Sequence, residues 1–288
     1  MNRRSWWFSE QWAWERLGAA AAWKGVSPNT PDVVVAVVDS GVADNHADLK
    51  GYLLPPGTVI PGGTRDDDDH GTPVAGTICA LTNNADKTPG KAKVKILPIK
   101  FCNQGVVPSA SLGAAAIDEA VRGRARVISL AWDVGYNTDD LRRAIKNAND
   151  AIVVVAAGNL ALDNDLYHNW PASYGDMDHV ITVMATDKYD DPASFSSFGR
   201  SSVHIAAPGV DILSTFSYCG NVDPDVPIGY RRYGGTSAAA AHVAGVAAFV
   251  RAKNPAWTPR KVKQYLISSA KRVKSLKGLC ASEGIAQF

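Results

Sequence analysis

Residues 33–42 read VVVAVVDSGV, and this stretch decides the fold. Six apolar residues in a row, with no polar alternation, describe a strand buried on both faces, as in a parallel sheet covered by helices. The run ends in Asp39, and Gly41 permits a sharp exit from the sheet. Working outward, residues 94–100, 126–130, 151–157 and 180–185 repeat the same Val- and Ile-rich texture. Residues 109–122 and 138–149 carry helical patterns, so strands and helices alternate. The expected class is α/β, a mainly parallel sheet flanked by helices. With no Ser- or Pro-rich linker and no repeat, residues 1–288 read as a single domain.

The composition, 46% hydrophobic and 20% charged over 288 residues, is that of a globular chain. A net charge of +2 gives no support to a nucleic-acid or membrane-surface binder. The longest apolar runs, residues 33–38, 151–157 and 243–250, fall short of the roughly 20 residues that span a bilayer, so no membrane span is expected. Cys79, Cys102, Cys219 and Cys280 lie far apart without metal-type spacing and read as free thiols. Glu10 and Gln11 interrupt the apolar start that follows Arg3 and Arg4, so no signal peptide is read. Together these favour an intracellular, cytoplasmic protein. The alternative is a secreted mature form whose signal and prosegment are absent from this chain. Two local biases stand out: a Trp-rich N-terminal arm over residues 1–32, and a basic segment over 251–288, read as helical, with Glu283 its one acidic residue.

Four loops carry the chemistry. Asp39, at a strand end, can orient an imidazole, although strand-end aspartates also form turns or hold metals. In DDDDHGTPVAGTICA, residues 66–80, His70 opens a small-residue helix whose free N–H groups Asp68 or Asp69 could cap, and a general-base role competes with a structural one. In YGGTSAAAAHVAGVAAFVRA, residues 233–252, Thr236 is a candidate N-cap. Ser237 there opens a helix apolar on nearly every side, where the helix dipole favours developing negative charge. The strand VVVAAGN, residues 153–159, delivers Asn159, whose amide N–H₂ could donate to an oxyanion. Taken together, Asp39, His70, Asn159 and Ser237 supply orienter, base, oxyanion donor and nucleophile. Their chain order, Asp then His then Ser, differs from the α/β-hydrolase and chymotrypsin orders.

The chain resembles the subtilisin-like serine peptidases, the subtilases. Beyond the four loops, the likeness includes QWAWERLGAAAAW, NHADL after Asp39, ARVISLAW, NWPASY and ASFSSFGRSSVHIAAPG, and covers roughly residues 10–270. The resemblance implies a parallel seven-stranded sheet and a serine endopeptidase acting through an acyl-enzyme. Ser237 would be the nucleophile, His70 the base and then acid, Asp39 the imidazole's partner and Asn159 the oxyanion donor. It also implies backbone pairing of an extended protein or peptide substrate on Lys100, Phe101, Cys102 and Gly105 and on Ala131, Trp132 and Asp133. A specificity pocket would be walled by 131–134 and by Ala156, Ala157, Gly158, Asn159 and Leu160. Leu160 and Asn169 suggest a medium apolar side chain there, with a basic one nearby. Trp170-Pro171 matches a position that often holds a cis peptide. Asp48 and Asn83 are the candidate ligands of a structural calcium ion; the chemistry itself is expected to need no cofactor.

Several features depart from the family pattern. The family's GTSMAxPHVAG reads GTSAAAAHVAG, Asp133 stands where Gly is usual, and the acid run Asp66–Asp69 precedes His70, where it should raise the imidazole pKa. Residues 217–233 form a long insertion before the nucleophile. Two other readings follow from these departures: a latent or inactive peptide-binding scaffold, and a peptide ligase or macrocyclase in which an amine intercepts the acyl-enzyme. The oligomeric state is not legible.

Overall fold

The computed structural model describes residues 11–24, 27, 29–79, 94–104, 106, 108–217 and 229–288. In chain order its main elements are α1 (Trp12–Arg16), α2 (Ala19–Trp23), β1 (Val33–Asp39), β2 (Gly57–Thr58), α3 (Gly71–Cys79) and β3 (Val94–Lys100). Then come α4 (Ala110–Arg122), β4 (Val127–Leu130), α5 (Asp139–Asn147), β5 (Ile152–Ala156), β6 (Val180–Thr186), β7 (Ile205–Pro208) and β8 (Ile212–Thr215). The chain closes with β9 (Tyr230–Tyr233), α6 (Thr236–Lys253), α7 (Pro259–Ser269), β10 (Lys271–Arg272) and β11 (Gly284–Ile285).

The sheet runs β10-β11-β7-β6-β5-β4-β1-β3-β2, with every pairing parallel except β10 with β11. It has nine strands where seven were expected, and β2, β10 and β11, of two residues each, lie toward its edges. Burial on both faces explains the unalternating sequence of β1. Val35 and Val37 belong to the core beneath α3 and α6, while Ala36 and Val38 belong to the core beneath α4 and α5. Helix starts are set locally: Ser109, Thr138 and Thr258 each accept a hydrogen bond from a main-chain N–H in the following first turn.

The N-terminal arm packs onto the body where it is described. Trp14 is buried against Trp23, His242 and Phe288, and Phe288 also meets Phe249 on α6. Trp6 and Trp7 lie outside the described residues. Within the basic segment, α7 is the α-helix that follows α6, and the stretch beyond it supplies a short 3-10 turn and the β10–β11 edge. No helix among the described residues is long and apolar enough to cross a membrane.

Candidate active site

The strand ends place the candidate residues. Asp39 ends β1, Ala131 follows β4 and Asn159 lies three residues beyond β5, all at the carboxyl edge of the sheet where open α/β folds bind ligands. His70 immediately precedes α3. Gly71 lets that helix start against β1: a methyl on it would lie 2.1 Å from the Gly41 carbonyl oxygen and 3.0 Å from Asp39 Cβ. Any side chain here would push His70 away from Asp39.

The Asp39 carboxylate is buried, and its Oδ1 accepts from His70 Nδ1 at 2.8 Å and from the Ser40 N–H at 2.8 Å. That bond fixes the imidazole tautomer with Nδ1–H toward Asp39. Burial disfavours the imidazolium, but Asp39 beside it, with Asp66 and Asp68, outweighs this and pushes the His70 pKa up to about 9.

The four aspartates ahead of His70 have divided tasks. Asp66 is buried: its Oδ1 accepts from Ser40 Oγ at 2.8 Å and from the N–H groups of Asp68 and Asp69, and its Oδ2 accepts from the Thr72 N–H at 2.9 Å and from the Thr72 hydroxyl. Ser40 Oγ in turn accepts from the Gly71 N–H at 3.0 Å. Asp66 and Ser40 therefore take up the Thr72 and Gly71 N–H groups in the first turn of α3, and Asp69 takes a positive φ of 59°. Asp67 turns toward the buried Lys100 ammonium, 2.7 Å away. Asp66 and Ser40 are the site residues that sequence reasoning missed. The one available signal was the hydroxyl directly after Asp39.

Ser237 lies in the first turn of α6, and its Oγ donates to the Ala131 carbonyl at 2.8 Å. The N-cap of α6 is Gly235, at φ 125°, rather than Thr236. Thr236 instead ties the helix to the end of β5. Its Oγ1 accepts from the Gly158 N–H at 3.1 Å, and its N–H and hydroxyl donate to Asn159 Oδ1 at 2.9 and 3.0 Å. With Oδ1 occupied, the Asn159 amide has only its N–H₂ left to offer.

The expected substrate segments are partly committed to the fold. The side chains of Lys100, Phe101 and Cys102 are buried, the Lys100 carbonyl accepts from Val59 N–H, and the Phe101 N–H donates to the Asp39 carbonyl. Burial also pushes the Cys102 thiol up to about 12, so it stays protonated. Trp132 packs on Phe101 and donates from Nε1 to the Val38 carbonyl, so its ring belongs to the core. Ala156 and Ala157 are buried, and Asp133 and Leu160 are exposed. Gly105 lies outside the described residues. The Trp170-Pro171 peptide is cis.

Asn83 also lies outside the described residues, as does Cys219. Asp48 Oδ2 is taken by the Tyr230 hydroxyl, and no group of three or more His, Cys, Asp or Glu side chains that could hold a metal assembles among the described residues. Cys102 and Cys280 are free and buried, and the buried Cys79 thiol donates to the Ala75 carbonyl at 3.2 Å.

A mainly parallel α/β sheet presenting a carboxylate–imidazole pair and a helix-borne serine at one edge defines a nucleophilic-hydrolase type of site. A family model described as the subtilase family, peptidase S8, matches residues 30–284. The chain belongs to the subtilase family. It is 33% identical to alkaline elastase YaB of Bacillus sp. (strain YaB), over 83% of this chain and 59% of that protein. It is 33% identical to M-protease of Shouchella clausii (strain KSM-K16), over 91% and 65%, and 32% identical to subtilisin Savinase of Lederbergia lenta, over 91% of both. It thus spans about three-fifths to two-thirds of the first two and most of the third. The crystal structure of a cold adapted subtilisin-like serine proteinase superposes with a TM-score of 0.72 at 26% identity, covering 90% of this chain and 88% of the other.

Proposed function

We propose that this chain is a serine endopeptidase whose triad is Asp39, His70 and Ser237. The observation that carries this is the 2.8 Å bond from His70 Nδ1 to Asp39, formed by residues far apart in sequence beside the serine-bearing helix. Neutral His70 takes the Ser237 proton at Nε2 as Oγ attacks the scissile carbonyl carbon. Asp39 holds Nδ1–H and stabilises the imidazolium that forms. The oxyanion accepts from the Ser237 N–H, one of the first-turn donors without an intrahelical acceptor, and from the Asn159 N–H₂. Collapse breaks the C–N bond, and His70 returns its proton to the departing amine. Water, activated by the same imidazole, then hydrolyses the acyl-enzyme.

Support comes from the protease names of the relatives, from the shared fold, and from the way Thr236 aims the Asn159 amide. The intracellular placement belongs to the same proposal and rests on the free thiols at Cys102 and Cys280. The test is intact mass after incubation with a fluorophosphonate probe, wild type beside Ser237→Ala. A single adduct that the variant lacks, together with cleavage of an unfolded protein, is the expected result. A well-folded wild type that takes no adduct would overturn it.

A further inference from the structure

Three segments meet beside Ser237 and are tied to one another. Val134 pairs with Trp170 through main-chain bonds of 2.7 and 3.3 Å, and Asn169 Nδ2 donates to Asp133 Oδ2 at 3.2 Å. Gly158 lies against both: a methyl on it would sit 2.6 Å from Asn169 Nδ2 and 3.6 Å from Asp133 Oδ2. Gly158 adjoins Asn159, and Ala131, two residues before Asp133, accepts the Ser237 hydroxyl. The Asp133 carboxylate is therefore held within a residue or two of both the nucleophile and the amide donor.

We propose that Asp133 makes this pocket a receptor for a basic side chain, so that the chain cuts after Lys or Arg; the proposal rests on the peptidase reading above. Asp133 is exposed, and no ion pair joins it to a basic residue among the described residues. Asn169 steadies Oδ2 without neutralising it. A carboxylate can only accept hydrogen bonds, so its partner must bring donors, and charge-assisted pairs are the strong ones. Leu160, 75% exposed and next to Asn159, offers an apolar wall for the methylene stem of Lys or Arg. The sequence-based expectation of a medium apolar side chain changes accordingly, since Leu160 is exposed and a fixed charge stands against Gly158 and Asn169.

The test uses the full chain with Ser237→Ala and calorimetric binding of acetylated tetrapeptide amides ending in Arg, in citrulline or in Leu. Arg is expected to bind about tenfold or more tightly than citrulline, the return from one charged hydrogen bond. Adding Asp133→Asn should close that gap, and Asp133→Lys should shift preference to Glu. Equal binding of Arg and citrulline, or tighter binding of Leu, would overturn the proposal. Because this variant does not turn over, the binding result stands whether or not the wild type cleaves. Failure of the peptidase reading shows separately, as a wild type without a fluorophosphonate adduct.

Discussion

The two halves of the candidate triad are held by opposite means. Around His70 the fixing is polar: Asp66, Ser40, Thr72 and Asp39 form a buried chain of hydrogen bonds running from the end of β1 to the first turn of α3. Around Ser237 it is packing: every residue of α6 from Thr236 to Ala252 is buried, and Ala, Val and Gly supply most of that surface. Thr236 is the polar bolt between this helix and the end of β5. A polar clamp responds to protons and charge, whereas a packed helix responds to volume. In the proposed triad, His70 is thus the adjustable partner and Ser237 the fixed one.

The largest effect is expected where the packed half meets the oxyanion. Asn159→Ala should lower kcat by about 10²–10³ with little change in KM, a magnitude borrowed from the loss of a subtilisin's side-chain oxyanion donor. Steady-state kinetics on a peptide amide reads it, and an unchanged kcat would remove Asn159 from the chemistry. On the polar half, Asp66→Asn places an amide N–H₂ where one oxygen accepts, against donors from Ser40 or Thr72. A loss of about 1–3 kcal/mol in denaturant unfolding should follow, with kcat falling as His70 loses its setting. If stability drops while kcat and its pH profile hold, Asp66 supports the fold alone.

Smaller effects sharpen the contrast in pH response. His70 must be neutral to act as base, so the acid limb of kcat/KM should lie near pH 9. Asp68→Asn removes a nearby negative charge and should move that limb to lower pH; a limb that stays put would mean that Asp68 is screened by solvent. Stability runs the other way. The folded pKa of His70 lies above its unfolded value of about 6.5, so charged His70 favours the fold fully below that pH. The contribution is lost as pH rises through about 9. Tm should therefore fall over this window in the wild type and less steeply in His70→Gln. Identical slopes would show that other groups govern alkaline stability.

Much of this was legible in the sequence because it is local. Strands β1, β3, β4, β5 and β6 announce themselves as Val- and Ile-rich runs, and Asp39, His70, Asn159 and Ser237 each stand in a glycine-bearing loop beside such a run or a helix. What was hidden depends on distant pairing. Nothing in DDDD tells which aspartate turns inward; that follows from Ser40, 26 residues earlier, meeting Asp66. The partner that draws Asp67 aside, Lys100, is 33 residues away. Trp132 reads as cleft lining until Val38 and Phe101 claim its ring. Strands β2, β10 and β11 escaped because two-residue edges have no periodicity to read, and β7, of four residues, is hardly longer.

The aromatic clasp of Trp14, Trp23, Phe249 and Phe288 has a consequence for biosynthesis. Gly245 and Phe249 on the back of the serine-bearing helix share one small cavity with Trp14, Trp23 and Phe288, and the Phe288 N–H donates to the Leu17 carbonyl at 3.0 Å. As a ribosome extends the chain, Ser237 emerges some fifty residues before Phe288 does. The cover on the nucleophile's helix cannot close until that aromatic ring has left the exit tunnel. The packing behind the helix that carries Ser237 is therefore completed by residues made well after Ser237 itself.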